Sequence, residues 1–219
     1  MLHIDEQGMI VNAGIMPRRF TQIERQPLQQ VQGIIVHQTG SGSAASTFNS
    51  YTHANANGAH FLIDKDGTIY QTASIKKRTH HVGPLLARCL AELRCKPAAF
   101  APSATSPQGT PVERMHKIEM QKSVPVRYPS NTDSLGIEIV GRASLPPGKA
   151  APASATPREK ERYFNQHAVY ETVTNAQNVS LQWLINELTA SLSVPKAEVF
   201  RHPDVSRKNP TEASTAAWQ

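Results

Sequence analysis

Ser134-Leu135-Gly136-Ile137-Glu138-Ile139-Val140-Gly141 is the stretch on which the fold turns. Its period of two puts Leu135, Ile137 and Ile139 on one face of a strand and Glu138 on the other, so a lone carboxylate leaves an otherwise apolar segment. Desolvating a carboxylate is costly, which marks Glu138 as a residue with a use. Gly33-Ile34-Ile35-Val36-His37 is a short apolar run suited to a buried strand. Phe61-Leu62-Ile63, Asp64-Lys65-Asp66-Gly67 and Thr68-Ile69-Tyr70 read as a hairpin with an Asp-Gly turn. Further on, Thr174 and Gln177 form a capping box, and Leu181, Leu184, Ile185, Leu188 and Leu192 follow at helical spacing as one apolar stripe. A shorter helix is expected over residues 46–55. Together these elements predict an α/β fold, with a mixed central β-sheet flanked by helices and two loop-rich insertions.

The 219 residues, 39% hydrophobic and 18% charged, suffice for one globular domain over 1–219. Residues 97–112 and 143–157 hold half of the sixteen prolines in Ala, Ser, Thr and Gly surroundings, and read as connectors without elements. They fall within two expected insertions, 84–132 and 143–165. A net charge of +6 draws the surface toward an anionic partner. Nucleic acid is disfavoured, because aromatics are only 6% and no Lys/Arg block is present. No apolar run is long enough to span a membrane. Asp5 and Glu6 precede a weakly apolar run ending at Pro17-Arg18-Arg19, the reverse of a secretory signal, so synthesis in the cytoplasm without a signal peptide is expected. Cys89 and Cys95 fit a small disulfide better than a zinc site, with two free thiols as the other reading.

Nine histidines are many for this length. His37 closes an apolar run and opens into Gln38-Thr39-Gly40-Ser41-Gly42, a strand end of the kind that displays metal ligands and catalytic groups. His202 follows another short apolar run in Phe200-Arg201-His202-Pro203-Asp204-Val205. Read in order with Gly58-Ala59-His60, His80-His81-Val82-Gly83, the Glu138 strand and Ser206-Arg207-Lys208, these segments resemble the zinc-dependent N-acetylmuramoyl-L-alanine amidases of amidase type 2, the AmpD and peptidoglycan-recognition-protein family. The resemblance covers roughly residues 33–218, interrupted by the two insertions.

The resemblance implies a Zn²⁺ cofactor bound by His37 and His202. The family's third ligand precedes a proline shortly after a lysine, and that position here is Asn209, whose neutral amide is a poor zinc ligand. Glu212, ten residues after His202, has the right chemistry and is preferred, with Asn209 as the alternative. Glu138 matches the family's metal-side glutamate and is expected to take a proton from the attacking water. Lys208 matches the oxyanion-stabilising lysine. His81 is expected to contact substrate or steady the oxyanion, and His60 to be structural. Residues Arg127, Tyr128, Pro129 and Asn131 are expected to form a wall of the substrate groove.

The implied activity is hydrolysis of the amide between N-acetylmuramic acid and the L-alanine of the stem peptide, with peptidoglycan as the anionic partner. The rival is a non-catalytic peptidoglycan-binding module of the same fold, kept alive by Asn209. A lytic enzyme without a signal peptide fits a recycling enzyme, a phage product, or a type VI secretion effector acting in a neighbour's periplasm. The insertion with its cysteine pair favours the last, which would bring a secretion-machine carrier and an immunity protein as partners.

Overall fold

The computed structural model describes residues 1–97 and 112–219, so most of the proline-rich connector at 97–112 lies outside the described residues. In chain order its elements are β1 (His3–Ile4), β2 (Ile10–Val11), β3 (Ile15–Pro17), β4 (Glu24–Pro27), β5 (Gly33–Gly40), α1 (Ala44–Tyr51), β6 (Phe61–Ile63), β7 (Ile69–Gln71) and β8 (Lys77–Thr79). They continue with α2 (Arg88–Ala91), α3 (Val112–Glu119), β9 (Ser134–Ser144), α4 (Pro157–His167), β10 (Val169–Tyr170), α5 (Asn175–Leu192), β11 (Val199–Arg201) and α6 (His202–Val205).

Among the described residues the central sheet has seven strands, ordered β11-β5-β9-β6-β7-β3, with β10 on the far end of β9. Strands β11, β5, β9 and β6 run parallel, β6 and β7 form the expected antiparallel hairpin, and β3 joins β7 in parallel. Gly67 takes φ +89° in the hairpin turn, a backbone region that a side chain strains.

Side-chain parity divides the sheet into a core face and a site face. Ile34, Val36, Phe61, Ile63, Leu135, Ile137 and Ile139 pack with Leu181, Leu184, Ile185 and Leu188 of α5 in one cluster. Each of those four helix residues is fully buried and contributes roughly 2 kcal/mol through burial alone. The helix starts where the sequence says it should, because the Thr174 hydroxyl accepts from Gln177 N and the Gln177 side chain accepts from Thr174 N. On the opposite face the neighbours in register are His37, Glu138 and Leu62. A second apolar cluster of Ile35, Val82, Leu85, Tyr128 and Val205 supports that face from beneath the 84–132 segment.

Three expectations need correction. The first helix covers Ala44–Tyr51, earlier than 46–55, because Ser43 caps it through Ser46 N and the chain turns out at Thr52. Residues 143–157 are not wholly free of elements: β9 runs on to Ser144, where Ala143 and Ser144 pair with β10. Residues 157–167 then form α4, started by Pro157 at its first turn and a Thr156/Glu159 capping box. The third concerns Arg127, Tyr128 and Asn131, which support the site from within instead of walling a groove. Arg127 is buried against Asp133, Tyr128 lies in the second cluster, and Asn131 Oδ1 accepts from His81 N and Val82 N at 2.9 and 2.8 Å.

Cys89 and Cys95 are joined in a disulfide just after α2 begins. Arg88 on the same helix pairs with Glu198 and Glu92, each at 2.7 Å, and its guanidinium lies 5.1 Å from the ring centres of both Tyr128 and Phe200. The segment is thereby tied to β11, the strand that delivers His202.

Candidate metal centre and active site

Strand β11 pairs with β5 so that Arg201 stands opposite Val36, which brings the next residues, His202 and His37, side by side. Their Nδ1 atoms are 2.9 Å apart. Glu212 Oε1 completes a triangle, 3.0 Å from His202 Nδ1 and 3.5 Å from His37 Nδ1. All three residues are buried, and among the described residues they form the group of His, Cys, Asp and Glu side chains able to hold a metal ion. Gln38 secures the turn that carries Glu212: its Oε1 accepts from Ala213 N at 3.2 Å and its Nε2 donates to Glu171 O at 2.8 Å.

Asn209 stands apart from this group. Its Nδ2 donates to Ala168 O at 2.6 Å, and its Oδ1 accepts from Thr211 N and Thr211 Oγ1. The amide therefore organises the turn while Glu212 faces the histidines.

A chain of hydrogen bonds dictates the tautomer of His37. The Ser130 carbonyl can only accept, so Ser134 Oγ donates to it at 2.6 Å and is left to accept from His81 Nε2 at 3.3 Å. Burial, reinforced by the neighbouring histidines, holds the His81 imidazole well below its usual pKa and hence neutral, which makes its Nδ1 an acceptor. His37 Nε2, 3.0 Å away, must then donate to it. Burial, chiefly, and His202 lower the His37 pKa to about 4, so His37 is neutral as well and its Nδ1 presents a lone pair to the triangle. Burial works to raise the Glu212 pKa, yet the hydrogen bond with His202 at 3.0 Å, aided by the neighbouring imidazoles, outweighs it and holds the carboxyl at about 2.

The site thus offers a neutral imidazole and a carboxylate already in their metal-binding protonation states. A tetrahedral zinc ion with ligands at roughly 2.0–2.1 Å needs donor separations of about 3.3 Å, and the three observed edges bracket that value. On donor chemistry and spacing the residues fit zinc. His202 Nε2 is buried without a hydrogen-bond partner among the described residues. Gly136 also has a role here, because a Cβ on it would come within 2.8 Å of His81 Nδ1. Only a bare backbone at that point lets the His81 ring lie on the sheet behind His37.

Glu138 stands opposite His37 in the strand register and lines the same cavity of about 350 Å³ as His37, His202, Lys208 and Glu212. Burial pushes its carboxyl up to about 7, Tyr51 lowers it by hydrogen bonding, and the charge of Glu212 adds to the rise. Tyr51 Oη donates to Glu138 Oε2, and burial, first, with Glu138 beside it keeps that phenol protonated. No protein hydrogen bond engages Oε1 among the described residues. Tyr51 was missed in the sequence, where it sits 87 residues before its partner on a helix with no motif of its own. Lys208 is exposed on the cavity rim. His60 is structural: Nε2 donates to Lys77 O at 2.8 Å, and Nδ1 accepts from Gly136 N at 3.0 Å.

The family model for N-acetylmuramoyl-L-alanine amidase matches residues 27–213. Among solved structures, a selenomethionine derivative of AmpD is 18% identical, covers 95% of this chain and 93% of its own, and superposes with a TM-score of 0.51. The N-acetylmuramoyl-L-alanine amidase LysC from Clostridium intestinale is 16% identical over 90% of this chain and 87% of its own, with a TM-score of 0.44. AmpDh3 from Pseudomonas aeruginosa, solved in complex with anhydromuramic pentapeptide, is 16% identical over 94% of this chain and 58% of its own, with a TM-score of 0.47. No curated protein sequence gives a significant match. The likeness to AmpD shows a shared fold, and the family match spans most of the length: this chain belongs to the N-acetylmuramoyl-L-alanine amidase family.

Proposed function

We infer that this chain is a zinc-dependent peptidoglycan hydrolase that cuts the amide between the lactyl group of N-acetylmuramic acid and the L-alanine of the stem peptide. The observation that carries the reading is the buried triangle of His37, His202 and Glu212 with Glu138 on the same cavity wall. Zinc, when bound there, supplies Lewis-acid polarisation and makes water at the site more acidic.

The remaining work falls to the chain's own side chains. Glu138 takes the proton of the attacking water and passes it to the departing L-alanine nitrogen, a task suited to a carboxyl with a pKa near the working pH. Tyr51 holds Oε2 and so fixes the carboxylate plane, leaving Oε1 for the proton. Lys208 brings an ammonium to the rim, where negative charge grows on the former carbonyl oxygen. His81 acts through His37, holding its tautomer and ring orientation, and is in this reading a positioning residue.

The rival reading, a wall-binding module without catalysis, rested on the absence of an anionic ligand at Asn209. Glu212 beside both imidazoles favours catalysis. The Cys89–Cys95 bond agrees with action in an oxidising compartment such as the periplasm.

The test is metal dependence. Dialysis against a chelator is expected to stop peptide release from purified sacculi, and one equivalent of zinc to restore it. Undiminished release by the metal-stripped protein would overturn the zinc assignment.

A further inference from the structure

The two histidines of the triangle are supported differently. His81 holds the far nitrogen of His37, whereas the far nitrogen of His202, Nε2, is buried without a hydrogen-bond partner among the described residues. A metal-binding imidazole ordinarily has its second nitrogen anchored, which fixes the ring before the ion arrives. For His202 that orientation has to come from the backbone that carries it. The 84–92 segment grips this backbone on both sides. After His202, Leu86 N donates to Val205 O and Ser206 Oγ donates to Pro84 O, each at 2.9 Å, and Leu85 bridges Ser206. Before it, Arg88 Nη1 donates to both carboxylate oxygens of buried Glu198, at 2.7 and 3.0 Å.

The same guanidinium rests against Tyr128 and Phe200, and Phe200 is the middle residue of β11. Its Nε donates to Glu92 at 2.7 Å. One turn of helix cannot keep this arrangement by itself, because the four residues of α2 are too few to offset the cost of starting a helix. The crosslink supplies what the helix lacks. Cys89 directly follows Arg88, and its bond to Cys95 closes a small ring over a sequence separation of six. Within that ring Glu92 also pairs with Arg94. Without the bond the turn is free to unwind, and Arg88 with it.

We propose that Arg88 is a positioning residue for His202 and that the Cys89–Cys95 bond keeps it in place, so that zinc affinity depends on a crosslink outside the metal site. Arg88 acts through Glu198 and Phe200 on β11, whose last residue, Arg201, precedes His202. The proposal rests on the zinc reading of the triangle and adds to it a support that none of the three donors provides.

The test is the zinc affinity of the full chain, measured by competition with a chromophoric chelator, in C89S/C95S, in R88M/E198Q and in the two combined. Serine leaves no free thiol to compete for the ion, and neutralising both members of the ion pair leaves no charge buried alone. Each double variant is expected to bind zinc about tenfold more weakly than the wild type, the lower end of what outer support of a metal-binding histidine is worth. The combined variant is expected to be no weaker than either, because both changes break one connection. Should R88M/E198Q fail to fold, C89S/C95S decides alone. Wild-type affinity in C89S/C95S, or losses that multiply to about a hundredfold in the combined variant, would overturn the proposal. A wild type that takes up no zinc would overturn the zinc reading itself, and this proposal with it.

Discussion

Replacing His37 or His202 with alanine is expected to abolish zinc retention and to lower peptide release by on the order of 10³-fold or more, because each change removes one of three donors. Both variants should remain folded. The core face of the sheet and its contact with α5 include neither histidine, so melting should stay cooperative and far-ultraviolet circular dichroism unchanged. Glu212→Gln should also lose zinc, since an amide replaces the only anionic donor. Asn209→Ala should keep zinc, because its amide touches Ala168 and Thr211 and not the triangle. Zinc content by elemental analysis checks all four, and retention of full zinc by Glu212→Gln would move the third ligand elsewhere.

Glu138→Gln separates chemistry from metal binding. The variant is expected to keep its zinc and its affinity for peptidoglycan while losing about 10²-fold or more in rate, the usual worth of a positioned general base. The carboxylate must be ionised to accept a proton, so activity should fall as the pH drops through its pKa. Without metal that value is about 7, and a dication at the neighbouring triangle draws it lower. The acid limb of the rate profile should therefore lie at or below about 7 in the wild type and vanish in Glu138→Gln. A variant that hydrolyses at the wild-type rate would reduce Glu138 to a structural partner of Tyr51.

Much of this centre was legible because buried strands leave plain traces in sequence. Glu138 stood out as the one charged residue in an alternating apolar run, and β9 places it opposite His37. Helix α5 announced both its start and its buried stripe. The edge strands β1 to β4 left no such trace, since segments of two to four residues such as Ile15-Met16-Pro17 show no period and owe their conformation to the strands they join. Helix α4 escaped for a different reason. It has no apolar stripe because it packs on no core, yet Thr156, Pro157 and Glu159 spelled out its start. The Tyr51 to Glu138 contact and the His81 to Ser134 chain arise only when distant segments meet across the sheet. Spacing along the chain carries no record of them.

Mass spectrometry of a purified muramoyl peptide after incubation with the zinc-loaded protein tests the central claim most directly. The account predicts two products: a glycan fragment with a free lactyl carboxylate, and an intact peptide whose new amino terminus is L-alanine. Cleavage at any other bond, or unaltered substrate from a zinc-loaded and folded protein, would contradict it.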